Sequence, residues 1–173
     1  MILGLIGKKH CGKDSFYCAC LELYVERRII SVPYRLAFAD AVKKELCKNL
    51  NISTEELNTH KEKYRLQMQE LGATQRAKDP DYWIKQIRAP KGWAKDGFII
   101  FTDCRFLNEA EFIRKLGGKL IRIRRDVSDK TEDKHISETE LEKIVYHNII
   151  HNNTTLLRYK MEVLDILRQY DIP

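Results

Sequence analysis

Gly7-Lys8-Lys9-His10-Cys11-Gly12-Lys13 sets the architecture of this chain, because it fits the pattern G-x-x-x-x-G-K. An apolar run from Met1 to Ile6 precedes it, and a helical pattern from Lys13 to about Arg28 follows it. Glycines let the backbone turn so that several N–H groups face one anion, and the helix N-terminus adds a partial positive charge. The stretch therefore predicts a loop that holds phosphate groups, with Lys13 reaching them as a point charge.

The residues of this loop and the two that follow are candidate contacts for a nucleoside triphosphate. They are Gly7, His10, Cys11, Gly12, Lys13, Asp14 and Ser15. Position 14 is Asp, where the motif usually has a Ser or Thr that contacts Mg²⁺, and Ser15 follows it. Either side chain could approach the metal, directly or through water, because Mg²⁺ keeps several waters. The sequence leaves that choice open.

Lys8, Lys9 and His10 make the loop unusually basic. Solvent exposure is one interpretation of these side chains. The other is that Lys9 neutralises charge where two phosphate groups meet, which phosphoryl transfer requires. We prefer the second interpretation, which makes Lys9 a candidate for catalysis and for acceptor binding.

Strand and helix patterns alternate along much of the remaining chain. Strands are predicted at Val32–Leu36, Phe98–Thr102, Lys119–Arg124 and Tyr146–His151. Helices are predicted at Phe38–Leu50, Lys61–Leu71, Asp81–Arg88, Glu109–Leu116 and Thr154–Gln169, with Gly72 ending the second and Asn108 capping the fourth. This alternation predicts a three-layer α/β P-loop NTPase fold, with a parallel sheet of about five strands and helices on both faces.

Two segments depart from that alternation. The stretch from about residue 53 to 90 is helical throughout, opens on a capping box of Ser53 and Glu56, and is too long for a simple crossover. We interpret it as a helical acceptor-binding region within a single domain of residues 1–173. The polar stretch from Asp126 to Lys134 predicts a mobile loop, and a lid over about residues 125–136.

Composition restricts the classes of function. The chain has 173 residues, 43% of them hydrophobic, a net charge of +6 and a pI near 9.0. The basic excess fits a solvated surface or an anion site. Nucleic-acid binding is not favoured, because no aromatic-rich basic motif accompanies the charge. Five cysteines without zinc-ligand spacing predict reduced thiols. With no leader and no long apolar run, we expect a cytoplasmic protein that is neither secreted nor membrane-bound.

The loop Gly7–Ser15 resembles the variant phosphate loop of the deoxynucleoside monophosphate kinases of tailed bacteriophages, and phosphomevalonate kinases of the animal type carry a related loop. Further blocks extend the resemblance over nearly the whole chain in the same order. They are Phe38–Lys43, Arg65–Gly72 with Asp81–Trp83, Thr102–Glu109, Gly117–Gly118 with Arg122–Arg125, Asp133–Glu138 and Asn152–Leu156. The sequence departs from the family at Leu71-Gly72-Ala73-Thr74, where Leu-Gly-Thr is usual, and it is short between Leu50 and Arg65.

The resemblance implies transfer of the γ-phosphoryl group of ATP, with Mg²⁺, to a deoxynucleoside monophosphate. Such a reaction brings two anions together and needs cations from several segments. Arg65 is the first candidate for the acceptor phosphate, because a guanidinium can bind two oxygens. Further acceptor candidates are Lys43, Gln69, Gly72, Arg76, Trp83 and Glu138. For most of these a surface position, or for Trp83 ordinary core packing beside Tyr82, is the alternative interpretation.

Asp103 and Arg105 follow the clearest predicted strand, and open α/β sheets bind ligands at that end. Asp103 could order Mg²⁺ or hold an acceptor hydroxyl, and Arg105 could bind a phosphate; a structural Asp–Arg pair is the alternative. Arg124, as a lid arginine, could stabilise charge on the transferring group. Arg125 and Asn153 are candidates for holding ATP, although Asn152, Asn153 and Thr154 could instead cap the last helix.

We therefore expect a kinase with Lys13, Lys9, Arg65, Asp103 and Arg124 as catalytic residues and small-molecule nucleotides as partners. Asp14, Ser15 and Asp103 are the candidate metal ligands. The nearest alternative is a kinase of another phosphorylated metabolite, such as phosphomevalonate. A different class is a nucleotide-binding or nucleic-acid-binding module with little turnover. The sequence leaves open whether the chain forms a homodimer and whether it is encoded by a phage, in which case it would act in the host cytoplasm.

Overall fold

A computed structural model describes residues 1–29, 33–88, 97–129 and 139–172. The chain divides into two compact units. The sheet unit comprises the described parts of Met1–Leu36 and Ala89–Pro173, and the helical unit comprises Ala37–Arg88. The helical unit begins at residue 37, whereas the predicted acceptor-binding region begins at about residue 53.

The sheet unit is built on five parallel strands within the described residues. They are β1 (Ile2–Ile6), β2 (Tyr34–Leu36), β3 (Ile99–Cys104), β4 (Lys119–Arg124) and β5 (Asn148–His151), in the order β2-β3-β1-β4-β5. The central strand β1 is buried over its whole length, as expected for a parallel strand covered on both faces. Strand β2 begins only after Pro33, which lacks the N–H that a ladder needs. The predicted parallel sheet is confirmed.

Helices cover the sheet on both faces. Successive side chains of a strand point to opposite faces, so Leu3 and Leu5 lie on one and Gly4 on the other. The first face packs with α1 (Lys13–Glu26) and α8 (Leu156–Gln169) in one core, which includes Phe16, Cys20, Ile100, Ile121, Ile123, Tyr159, Val163 and Leu167. The second face packs with α6 (Leu107–Lys115): a Cβ on Gly4 would lie 2.7 Å from Ile113 Cδ1. Three layers result, and the fold is the predicted α/β P-loop NTPase fold.

Two sequence predictions in the sheet unit need correction. Helix α6 begins at Leu107, with the extended Phe106 before it, so Asn108 lies inside the first turn and does not cap the helix. The reason is Glu109, whose buried carboxylate accepts hydrogen bonds from the backbone N–H groups of Arg105 and Phe106. The polar stretch predicted as a loop opens with a short helix, α7 (Asp126–Asp129); its remainder from residue 130 lies outside the described residues.

Arg122 is a buried cation in β4, two residues before the end of the strand. Its Nη1 donates to the Leu141 carbonyl at 3.0 Å, in a 3₁₀ turn at Leu141–Lys143, and its Nη2 contacts Glu142 Oε1 at 2.6 Å. A buried charge requires such partners. Arg122 therefore ties the turn to the sheet, in contrast to the exposed Arg124 and Arg125 that follow it.

The helical unit contains α2 (Phe38–Leu50), α3 (Thr54–Thr59), α4 (Arg65–Lys78) and α5 (Tyr82–Lys85). Its core is formed by Leu46, Cys47, Leu57 and Tyr64, with Ile52, Met68 and Leu71 packed against them. Ser53 caps α3 as predicted, because its hydroxyl accepts from Glu56 N at 3.0 Å.

Gly72 does not end a helix, and that prediction was wrong. It lies buried within α4, which continues to Lys78. The Gly72 carbonyl accepts from Trp83 Nε1 at 3.1 Å, and a Cβ at this position would lie 3.1 Å from Arg76 Nη1. The glycine therefore serves close packing, which outweighs its low helix propensity.

None of the helices in the described ranges combines the length and hydropathy needed to cross a bilayer.

Candidate active site

The loop Gly7–Lys13 joins the central strand β1 to α1 at the C-terminal end of the strand. Both of its glycines lie where a side chain does not fit. A Cβ on Gly7 would lie 2.4 Å from the Ile123 carbonyl oxygen, and one on Gly12 would lie 2.3 Å from Asn152 Nδ2. Gly12 also has a φ of 113°, which disfavours any residue with a Cβ. Sterics thus require both glycines of the motif.

Lys13 is the last residue of the loop, and its side chain folds back into the loop. Only 9% of the residue is exposed, and its Nζ donates to the carbonyl oxygens of Gly7 at 2.7 Å and Lys8 at 2.6 Å. An ammonium group in this setting is desolvated and held by loop carbonyls, which oxygen atoms of a phosphate can replace as acceptors. The predicted phosphate-binding lysine is therefore positioned within the loop.

Two carbonyls of the loop also accept hydrogen bonds from side chains that lie outside the loop. Asn152 Nδ2 donates to the Cys11 carbonyl at 2.9 Å, and the Tyr159 hydroxyl donates to the Gly12 carbonyl at 2.8 Å. Burial and the nearby Cys11 and Cys20 raise the pKa of Tyr159 far above its usual value, so the hydroxyl remains a donor. Sequence analysis missed Tyr159. The available signal was a tyrosine on the apolar side of the last helix, since a buried tyrosine hydroxyl usually finds a hydrogen-bond partner.

Asp14 and Ser15 occupy the exposed first turn of α1. A carboxylate there is stabilised by the helix dipole. Together with Asp103 they offer hard oxygen donors, the type that Mg²⁺ prefers. The described residues contain no group of three or more His, Cys, Asp or Glu that could enclose an ion. This set fits Mg²⁺ that arrives with a nucleotide and is held by one or two side chains, phosphates and water.

Asp103 and Arg105 lie at the C-terminal end of β3, next to β1. The pairing steps from Gly4–Phe101 to Ile6–Cys104, so two steps along β1 correspond to three along β3. This bulge interrupts the regular alternation of side chains at Thr102 and Asp103. Beyond it, Glu109 Oε2 accepts from Arg105 N at 2.9 Å. Sequence analysis gave Glu109 no separate role, yet it fixes the backbone that carries Arg105.

The start of the predicted lid lies against the phosphate loop. Arg125 Nη1 reaches the His10 carbonyl at 3.5 Å. Asn152 N donates to the Arg124 carbonyl at 2.7 Å, and Asn153 Oδ1 accepts from Asp126 N at 2.9 Å. The structure thus places Arg125 at the loop and ties Arg124 and Asp126 to the segment after β5, and Thr155, rather than Asn153, caps α8.

Most acceptor candidates of the helical unit share one face of α4. Arg65, Gln69, Gly72 and Arg76 are spaced by four, three and four residues, which places them on one side of the helix. Arg65 Nη1 lies 3.8 Å from Glu62 Oε1. Lys43 lies separately on α2, with its Nζ 3.6 Å from Asp40 Oδ1. Glu138, in contrast, lies outside the described residues.

Trp83 is a packing residue of the helical unit. It is 1% exposed, its Nε1 donates to the Gly72 carbonyl, and its ring meets Tyr82 edge-to-face at 4.8 Å. The Tyr82 hydroxyl donates to Glu45 Oε2 at 2.8 Å. An indole buried in this way has no free face on which a base could stack. Of the two interpretations of Trp83, the structure supports core packing, and its prediction as an acceptor contact is corrected accordingly.

The fold and the site together define the class of this protein. A parallel sheet in the order β2-β3-β1-β4-β5, a glycine-rich loop after its central strand and a lysine held within that loop are the features of a P-loop NTPase.

Comparison with known proteins gives the family. Residues 5–119 match the family model described as phosphomevalonate kinase. The chain belongs to the phosphomevalonate kinase family.

One curated relative has a different description. A protein of Acanthamoeba polyphaga mimivirus named "Putative deoxynucleotide monophosphate kinase" is 39% identical over 67 residues. The match covers 38% of this chain and spans about a third, 34%, of the viral protein.

Three solved structures have a similar chain course. Shikimate kinase from Aquifex aeolicus is 14% identical with a TM-score of 0.46, and each chain is covered to 99%. Shikimate kinase from Bacteroides thetaiotaomicron is 13% identical with a TM-score of 0.49, over 99% of this chain and 98% of the other. APS kinase from Mycobacterium tuberculosis is 12% identical with a TM-score of 0.48, over 96% of both chains.

Proposed function

We propose that this protein is an ATP-dependent kinase that phosphorylates a small acceptor which already carries a phosphate group. The observation that carries the proposal is the seat of Lys13, whose Nζ lies 2.7 Å and 2.6 Å from two carbonyls of a loop at the end of the central strand. A buried ammonium group in a glycine-rich loop at the N-terminus of a helix is suited to the β and γ phosphates of a nucleotide.

The reaction is a direct in-line transfer. An oxygen of the acceptor phosphate bonds to the γ phosphorus of ATP, the bond from that phosphorus to the β–γ bridging oxygen breaks, and ADP leaves. Asp14, Ser15 and Asp103 are the candidate residues that would hold Mg²⁺, which would supply positive charge to the phosphates. Lys13 neutralises charge at the donor, Lys9 where the donor and acceptor phosphates meet, and Arg124 at the transferring group. Arg65 holds the acceptor.

We further propose that the acceptor is a deoxynucleoside monophosphate. The 39% identity with the viral relative named for that activity supports this choice. So does the face of α4 that presents Arg65, Gln69 and Arg76, which combines two guanidinium groups with an amide that could hydrogen-bond a base edge.

Phosphomevalonate is the second candidate acceptor. The family match over residues 5–119 favours it, and so does the burial of Trp83, which leaves no indole face on which a base could stack. Both acceptors present a phosphomonoester to the same cations, so the two candidates share the donor site and differ only in what surrounds the acceptor.

The test is ADP release from Mg-ATP with a panel of acceptors: the four deoxynucleoside monophosphates dAMP, dGMP, dCMP and dTMP, the matching ribonucleotides, and 5-phosphomevalonate. The control is Lys13→Ala, which removes the loop ammonium. Turnover with a deoxynucleotide that disappears in the variant is the expected result. Turnover with 5-phosphomevalonate alone would transfer the assignment to the second candidate. ATP binding without any turnover, together with salt-sensitive DNA binding, would favour a binding module instead.

A further inference from the structure

Two residues late in the chain contact the phosphate loop from its outer side, and neither takes part in the proposed chemistry. They are Asn152, directly after β5, and Tyr159, in the first turns of α8. We infer that they are positioning residues, which fix the orientation of the last two peptide groups of the loop so that their N–H groups face the nucleotide. The inference rests on the proposed use of this loop to bind ATP.

The geometry follows from the planarity of the peptide group. In a trans peptide the C=O of one residue and the N–H of the next point in opposite directions, and the described residues contain no cis peptide bond. The Cys11 carbonyl is held by Asn152 Nδ2 at 2.9 Å, and the Gly12 carbonyl is held by the Tyr159 hydroxyl at 2.8 Å. The N–H groups of Gly12 and Lys13 therefore point away from Asn152 and Tyr159.

The loop has little tolerance at this contact. Asn152 Nδ2 would lie 2.3 Å from a Cβ on Gly12, which means that the amide approaches the bare backbone. Asn152 is fixed in turn, because its own N–H donates to the Arg124 carbonyl at 2.7 Å. A residue held at both its backbone and its side chain can transmit a defined position to the loop.

The bond from Tyr159 is not needed to satisfy the Gly12 carbonyl. That carbonyl also accepts from Phe16 N at 2.9 Å, in the first turn of α1. Nor does the surrounding core demand a partner for every tyrosine hydroxyl. Tyr24 belongs to the same core, and its hydroxyl is buried without a hydrogen-bond partner among the described residues. The Tyr159 hydroxyl is thus a second donor to a carbonyl that α1 already holds, and the two donors together define the orientation of that peptide group.

Tyr159→Phe tests the inference, because it removes the hydroxyl and keeps the ring. Tyr24→Phe is the matched control: it removes a buried hydroxyl from the same core, but one that contacts nothing in the loop. Affinity for Mg-ATP is titrated directly, without an acceptor, and the thermal midpoint is measured for each variant. We expect Kd to rise about 3- to 10-fold in Tyr159→Phe, as for loss of one hydrogen bond, and to stay unchanged in Tyr24→Phe.

Asn152→Ala provides a second, independent variant in case Tyr159→Phe does not fold. It should raise the Kd for Mg-ATP by a similar factor while the thermal midpoint stays close to that of the wild type. An equal Kd in wild type, Tyr159→Phe and Asn152→Ala would overturn the inference and leave the kinase proposal standing. A Kd that rises equally in Tyr24→Phe would also overturn it, because the effect would then be one of core packing.

The same titration separates the two proposals. Wild-type protein that does not bind Mg-ATP would overturn both. A third outcome is that the wild-type protein binds Mg-ATP, that Tyr159→Phe weakens this binding as expected, and that no acceptor of the panel is phosphorylated. That outcome would support the inference and overturn the proposed reaction.

Discussion

The phosphate loop of the sheet unit and the α4 face of the helical unit are built in opposite ways. The loop consists largely of backbone: carbonyls of Gly7, Lys8, Cys11 and Gly12 are all engaged by side chains from α1, α8 and the segment after β5. The α4 face presents the long side chains of Arg65, Gln69 and Arg76, and Arg65 Nη1 lies 3.8 Å from Glu62 Oε1. The geometry of a site made of backbone is set by the steric limits on the chain. The binding properties of a site made of side chains depend instead on which residue types occupy the helix.

Gly12→Ala should have the largest effect, because it attacks the backbone site directly. The new Cβ meets Asn152 Nδ2 at 2.3 Å at a φ of 113°. We expect the affinity for Mg-ATP to fall by about 2–4 kcal/mol, roughly 30- to 700-fold, measured by direct titration.

Gly117→Ala is its control. It also places a Cβ at a positive φ, 77°, but nothing lies within 4 Å. It should lower the free energy of unfolding by about 1 kcal/mol and leave the Kd for Mg-ATP unchanged. An equal loss of nucleotide affinity in the two variants would contradict the view that the loop is limited by local sterics.

Arg65→Ala tests the side-chain site. Loss of a guanidinium that binds a phosphate should raise the acceptor KM, or lower kcat/KM, by about 10- to 100-fold, while the Kd for Mg-ATP remains that of the wild type. Arg168→Ala is a suitable control, because Arg168 forms a comparable ion pair with Asp165 at 3.6 Å on the exposed side of α8. Unchanged kinetics would remove Arg65 from the site.

Trp83→Phe sharpens the distinction between packing and recognition in the helical unit. The variant loses the bond from Nε1 to the Gly72 carbonyl and part of a buried ring. The free energy of unfolding should fall by about 1–2 kcal/mol, with the acceptor KM unchanged. A higher KM at an unchanged thermal midpoint would instead return Trp83 to the acceptor site.

The smallest expected effect concerns His147, which precedes β5. Its Nδ1 accepts from Leu120 N at 3.0 Å, so the neutral ring is the form that bonds. Partial burial, and then the charges of Lys119 and Arg114, lower the pKa of His147 below its usual 6.5. The unfolded chain therefore takes up this proton more readily, and the stabilisation present above pH 6.5 is lost as the pH falls below it.

Urea unfolding between pH 7.5 and 5.5 measures this dependence. Wild-type protein should lose a small part of its stability over that range, and His147→Gln should lose less. His151→Gln provides the comparison, since His151 lies at the other end of β5 and is exposed. The same pH dependence in His147→Gln as in the wild type would assign it to other groups.

The parts of the fold that sequence predicted well are those determined by neighbouring residues. Strand β1, the loop and α1 follow one another, and the roles of Gly12 and Lys13 are local. The prediction failed at Gly72 because the role of that glycine depends on its contact with Trp83, eleven residues further along the chain. It missed Tyr159 because the hydroxyl and the Gly12 carbonyl are 147 residues apart. No local pattern encodes such a contact, since any buried helix position can hold a tyrosine.

These separations bear on how the protein is made. Asn152 and Tyr159 reach the loop across 141 and 147 residues. At about 5–20 residues per second, a ribosome needs roughly 7–30 seconds to proceed from the motif to these partners. During that interval a nascent chain displays the full G-x-x-x-x-G-K signature without the bonds that orient it. Nucleotide affinity would therefore rise only when α8 docks, so that nucleotide binding would report completion of the sheet unit.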